Sequence, residues 1–239
     1  MIIVGHRGAR NEAPENTVEG FVHAQQQGCQ YFELDIQLSA DHELVVFHDT
    51  SLKRTTGKRG KLIHQPYSHL KTLDASVNTP NWHHCNIPNL QKVVNATPHT
   101  LHWQFEVKTD SRQRLKILTQ HLYHFIIENN LRDKVTVTSS NRWFLAHIKN
   151  LHPELSTGYV AEYRFHDPVK TAQKLACDML AMSVSLASER TVKSAKQAAL
   201  NVSCWTVNDL PKMEVLKGYG VDSIITDLPT MALEHFSKR

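Results

Sequence analysis

Tyr31-Phe32-Glu33-Leu34-Asp35-Ile36 decides the fold class of this 239-residue chain. Side chains of an extended strand alternate faces, so Glu33 and Asp35 point one way while Phe32, Leu34 and Ile36 point the other. On either side of it, strand and helix signals alternate, which favours a parallel sheet covered by helices. Ile2–Gly5 reads as the first strand. Later strands are expected at Leu101–Val107, Lys134–Thr138, Ser156–Val160, Met179–Met182, Val202–Trp205 and Ser223–Ile225. With Glu43–Phe47 set aside as an accessory, eight core strands remain. Helices are expected over Asp110–Asn130, Asn141–Leu151, Pro168–Ala176, Glu189–Leu200 and Leu210–Lys217. The spacing predicts a first helix capped by Asn16, with Glu19 as its reciprocal partner and Gly28 as its stop. From about Asp49 to Asn86 the pattern breaks into basic, Gly- and His-containing segments, which read as a small insertion in one 1–239 domain.

The same strand also carries chemistry. Two neighbouring carboxylates repel, and in a low-dielectric site one of them must hold a proton unless a cation intervenes. Hard oxygen donors favour magnesium, calcium or manganese over zinc. The bland alternative puts both acids on the solvated face of an amphipathic strand. A second run, Leu101-His102-Trp103-Gln104-Phe105-Glu106-Val107-Lys108, tilts the balance, because Glu106 and Lys108 again share one face. Glu106 is a candidate third carboxylate ligand; its competing reading is an exposed Glu–Lys pair worth little. His6-Arg7-Gly8 and His48-Asp49 lie beside apolar β-rich runs. Burying such groups without partners is costly, so a metal-assisted acid/base site is the economical explanation.

Composition narrows the class. The 41% hydrophobic content suits a packed core, and 27 basic against 23 acidic residues give +4, too slight to argue for nucleic acid. The basic cluster Lys53, Arg54, Lys58, Arg59 and Lys61 lacks interleaved aromatics and reads as a solvated loop. Cys29, Cys85, Cys177 and Cys204 are scattered, which suggests buried thiols in a reducing compartment. No secretory signal precedes His6 and no run reaches the length of a membrane span, so a cytoplasmic location is expected. No feature specifies an oligomeric state.

In order along the chain stand HRG (from His6), APENT (from Ala13), ELD (from Glu33), VVFHD (from Val45), LKRTTG (from Leu52), IPNL (from Ile87), EVK (from Glu106), WTVN (from Trp205) and ITDLP (from Ile225). Together they resemble the glycerophosphodiester phosphodiesterases from His6 to Pro229. The resemblance implies a (β/α)8 TIM barrel with a small insertion after the second barrel strand. It also implies a divalent cation, Mg2+ or Ca2+ with Mn2+ an option, and cleavage of a small-molecule glycerophosphodiester to glycerol 3-phosphate and an alcohol. It carries metal binding onto Glu33, Asp35 and Glu106, acid/base roles onto His6 and His48, and phosphate contact onto Arg7 and Lys108. Trp205 reads as a platform for substrate or as rim packing, and Asp227 as the cap of the last helix. Glu15 reads as an indirect contact to the metal or substrate, or as a brace for the first loop. Asp41-His42 stands where the family usually has Asp-Gly or Asp-Asn, in a turn. The rivals are a lysophospholipase D-like enzyme on the same barrel and a non-catalytic phosphate-binding barrel.

Overall fold

Apolar strands of four to eight residues, most of them followed by a capped helix, close on themselves in the computed structural model, which describes residues 1–163 and 166–237. Among the described residues, nine strands form one sheet. They are β1 (Ile2–His6), β2 (Tyr31–Leu38), β3 (Leu44–Val46), β4 (His102–Val107), β5 (Val135–Ser139), β6 (Ser156–Ala161), β7 (Met179–Ser183), β8 (Asn201–Trp205) and β9 (Ser223–Thr226). All but β3 run parallel, and β1 pairs with both β9 and β2, so these eight make a (β/α)8 barrel. The accessory β3 is antiparallel to β2, with Ile36 opposite Val46.

The strands end within a residue or two of the sequence expectations. Helices α1 (Val18–Gln26), α2 (Lys53–Thr56), α3 (Tyr67–Leu70), α4 (Leu90–Ala96), α5 (Arg112–Glu128), α6 (Arg142–Leu151), α7 (Pro168–Lys174), α8 (Glu189–Gln197), α9 (Leu210–Gly218) and α10 (Pro229–Ser237) complete the chain. Ser111, Asn141, Asp167, Ser188 and Asp209 each accept a first-turn amide, which is why α5 to α9 start where they do. At α1 the expected cap is corrected. Thr17, not Asn16, accepts the Gly20 amide at 3.0 Å, and Asn16 sits in the left-handed region at φ 55° with another task.

The alternation in β2 holds. Phe32, Leu34 and Ile36 are fully buried beneath the helical layer, with Phe32 5.5 Å from Phe21 of α1 and 5.4 Å from Trp103 of β4 between ring centroids. Glu33 and Asp35 turn into the barrel and are buried too, which removes the solvated-face alternative. After β3 the chain makes its excursion through α2, a 3₁₀ turn at Leu62–His64 and α3, returning at α4. That excursion has its own apolar cluster, including Val45, Phe47, Leu52, Leu62, Leu70 and Ile87. All four cysteines are free and buried. No helix among the described residues is long and apolar enough to cross a membrane.

His42, in the turn before β3, adopts φ 65°. A side chain there is strained, whereas glycine is not. Replacing His42 with Gly is therefore expected to stabilise the protein by about 0.5–1 kcal/mol, after allowance for the extra entropy of the unfolded chain. A urea midpoint that rises with an unchanged slope is the expected reading; an unchanged or lower midpoint would refute the strain.

Candidate active site

At the carboxyl ends of the barrel strands lies a cavity of about 660 Å³, lined by His6, Arg7, Glu33, His48, Glu106, Lys108 and Trp205 among others. This is where such barrels place their working groups, because the loops that follow each strand converge there. Strand register assembles the acids. His6 lies beside Glu33 across β1 and β2, and Asp35 lies beside Glu106 across β2 and β4. One carboxylate oxygen from each of Glu33, Asp35 and Glu106 falls within 4.8 Å of the other two.

These acids do not share their charge equally. Burial, reinforced by the like charges of Asp35 and Glu106, pushes the Glu33 carboxyl well above its ordinary range. Asp35 goes the other way. Against the penalty of burial, Lys108 and Arg7 hold its carboxyl far below the usual value. Lys108 Nζ lies 2.8 Å from Asp35 Oδ1 and 2.6 Å from Glu106 Oε1, and Arg7 Nε lies 3.1 Å from Asp35 Oδ2. Lys108 thus partners Asp35 and Glu106 alike, whereas Glu33 Oε1 is buried with no hydrogen-bond partner. A buried carboxylate oxygen without a partner costs free energy that a hard divalent cation would recover. The donor set thus fits such an ion, and Glu33, Asp35 and Glu106 are the residues that could hold it.

Each histidine is held through Nδ1. His6 Nδ1 lies 2.5 Å from Asp227 Oδ1, and His48 Nδ1 lies 2.6 Å from Asp49 Oδ1. Burial lowers both imidazole pKa values, against the pull of these carboxylates. Burial would also raise the carboxyl pKa of Asp49, but Arg54 and His48 hold it at about 2. That carboxylate can only accept, so His48 Nδ1 carries the proton and leaves Nε2 as the free nitrogen. Burial would raise the Asp227 carboxyl too, but the hydrogen bond and charge of His6, together with Asn208 and Arg10, hold it below its ordinary value.

A sequence profile of the glycerophosphoryl diester phosphodiesterase family matches residues 6–231. The chain belongs to that family. A glycerophosphodiester phosphodiesterase of Caldanaerobacter subterraneus is 28% identical over 232 residues, covering 95% of this chain and 94% of its own. One from Bacillus altitudinis is 28% identical over 236 residues, with 97% and 96% covered. Among solved structures, an Oleispira antarctica phosphodiesterase in complex with the product sn-glycerol-3-phosphate superposes with a TM-score of 0.92 at 26% identity, covering 99% of this chain and 97% of that one.

Several members of this family site escaped the sequence reading. Asp227 does not cap α10: its carboxylate serves His6 and Asn208, the latter at 2.8 Å, while Glu12 takes the Thr230 amide. Asn16 donates to Asp35 Oδ2 at 2.8 Å. Arg54 is exposed as expected, but it lies on α2 and its guanidinium grips Asp49 and Glu15 together. Glu15 in turn accepts from Arg7 Nη1 at 2.8 Å, so it braces Arg7 rather than the acid cluster. Trp205 reaches the cavity wall and also donates Nε1–H to the Ala181 carbonyl at 3.2 Å, which fixes the ring in place.

Proposed function

We propose that this protein hydrolyses glycerophosphodiesters to sn-glycerol 3-phosphate and an alcohol, using Glu33, Asp35 and Glu106 to hold a divalent cation and His6 and His48 to move protons. The observation that carries the reading is the convergence of three acids, with Glu33 Oε1 left unpartnered, beside two carboxylate-anchored histidines at one cavity. Mg2+ or Ca2+ is the ion that all-oxygen donors favour, with Mn2+ an alternative. When bound, such an ion supplies charge stabilisation to a phosphoryl oxygen. Arg7 offers a planar guanidinium to a second phosphate oxygen. Lys108 adds a positive charge at the same end of the cavity.

His6 and His48 divide two proton transfers. One imidazole takes the proton of the attacking oxygen through its free Nε2, and the other returns a proton to the departing alcohol. Asp227 and Asp49 fix which nitrogen faces the reaction. Imidazoles with lowered pKa values are neutral near pH 7, which suits the accepting role.

Specificity follows from the lining. Trp205 is the single Phe, Trp or Tyr among the described residues of the cavity wall. A quaternary-ammonium cage needs several aromatic faces. The leaving alcohol is therefore weakly discriminated, and the glycerol end is the part that is read.

Release of glycerol 3-phosphate from glycerophosphocholine, glycerophosphoethanolamine and bis-glycerol phosphate is the test. The three esters are expected to have kcat/KM within about tenfold of one another, or 1.4 kcal/mol. Absence of glycerol 3-phosphate with Mg2+, Ca2+ and Mn2+ alike would overturn the assignment. Equal turnover of a phosphodiester lacking glycerol would overturn the specificity.

A further inference from the structure

His48 is supported differently from the rest of the site. His6, Glu33, Asp35 and Glu106 ride on barrel strands, but His48 follows β3, a three-residue accessory strand. Its backbone is gripped by Gln37, whose Nε2–H2 group donates to the carbonyls of Phe47, His48 and Asp49 at 2.8, 3.1 and 2.9 Å. Its ring depends on Asp49, and Asp49 depends on Arg54. Arg54 Nε and Nη2 donate to the two Asp49 oxygens at 2.7 and 3.0 Å. The same guanidinium donates Nη1 and Nη2 to the two oxygens of Glu15, both at 2.7 Å. Glu15 continues to Arg7 Nη1, and Arg7 Nε meets Asp35.

We propose that Arg54 is a positioning residue, one rigid guanidinium that sets the separation between His48 and Arg7 across the mouth of the cavity. The chemistry of the side chain supports this. A guanidinium presents fixed, coplanar donors that can satisfy two carboxylates at once, whereas a lysine is a single mobile point charge. The charges also balance in a chain, with Arg7 and Arg54 alternating with Glu15 and Asp49. Against burial, Arg54 and Arg7 hold the Glu15 carboxyl at about 2, so this chain stays ionised at working pH. Without Arg54, α2 loses its tie to the first loop, and Asp49 is free to turn away from His48.

This inference rests on the proposed hydrolysis, and its test includes a readout that does not. Arg54→Ala and Arg54→Lys are compared with the wild type for kcat, KM, Mg2+ affinity and melting temperature. Misplacing a reacting group by about 1 Å costs up to 10²-fold. For Arg54→Ala the expected result is a kcat lowered roughly 10–100-fold, with KM and Mg2+ affinity changed less than about threefold. Arg54→Lys keeps the charge but not the fork and is expected to recover only part of that loss. Guanidinium ion at low concentration should raise kcat of Arg54→Ala alone. In parallel, the His48 Nδ1 proton, observed by NMR in a ring-labelled sample, should shift or exchange faster in Arg54→Ala whether or not the wild type turns over. A kcat within twofold of wild type in both variants, or an unmoved His48 proton signal, would overturn the proposal. A melting temperature that falls while kcat holds would reduce Arg54 to a structural brace.

Discussion

Replacing His6 or His48 with alanine lowers kcat roughly 10²–10⁴-fold, the range expected when a positioned acid or base is removed. Both rings are anchored at Nδ1 and both line the same cavity. If each serves one of the two proton transfers proposed above, losing either stalls the cycle. Affinity for glycerol 3-phosphate changes far less, since Arg7, Lys108 and the acids remain. The double variant is only slightly worse than the worse single, because groups acting as a unit are not additive. Steady-state kinetics and product-binding calorimetry read these outcomes together. Near-normal turnover in either single variant would make that histidine a bystander.

Stripping divalent ions reduces turnover by about 10³-fold or more, as expected for several kcal/mol of lost charge stabilisation. The structure adds a stability signature. Glu33 in the ion-free fold has a pKa raised above its ordinary 4.5. The folded protein then keeps a proton that the unfolded chain has released, and this contribution is complete below the ordinary carboxyl pKa. It is lost as pH rises through the raised value, so on the alkaline side the ion-free protein weakens. Asp35 has the opposite sign: its lowered pKa contributes stability above the ordinary value, lost only in strong acid. An added cation takes over from the Glu33 proton. At a concentration about 100 times its Kd it contributes about 2.7 kcal/mol, or roughly 5–10 °C in a chain of this size. The rise should be larger at pH 8 than at pH 5. Glu33→Gln isolates the effect, because it fixes that position as neutral at every pH, while Asp35 still pairs with Lys108 and Arg7. In chelator the variant should melt higher than wild type at pH 8 and about level with it at pH 5, and it should ignore added Mg2+ and lose turnover. A wild-type melting temperature indifferent to Mg2+, Ca2+ and Mn2+ at both pH values would sink the metal assignment.

Periodicity made much of this visible in advance. Alternation in β2 told which face Glu33 and Asp35 share, and the order of strands and helices told the barrel, because both depend on local spacing. What stayed hidden depends on closure. Asp227 is 221 residues from His6, and no local pattern pairs them. The capping reading failed because an aspartate at a helix start is commonly a cap, and here Glu12 already fills that place. Arg54 was hidden for a related reason: a run of basic residues reads as solvated until Glu15, 39 residues away, is folded onto the same guanidinium as the nearby Asp49. Asn16 missed by a single residue, since Asn and Thr both cap helices and only the fold shows which one faces Asp35.

The accessory strand has a cost of a different kind. A closed barrel offers no free backbone edge, but β3 adds a strand to it and with that strand a new margin of unpaired amides and carbonyls. The returning chain covers it: Val46 N–H donates to the Pro88 carbonyl at 3.0 Å, and Val45 bridges to Asn89. Proline at that place offers no amide of its own, so the seam ends there instead of inviting another strand. The excursion from β3 to α4 is thus also a guard against edge-to-edge association between copies. Any shortened version of the chain that removes Ile87–Asn89 bares a sticky margin beside the cavity, and aggregation, not lost chemistry, would be its first symptom.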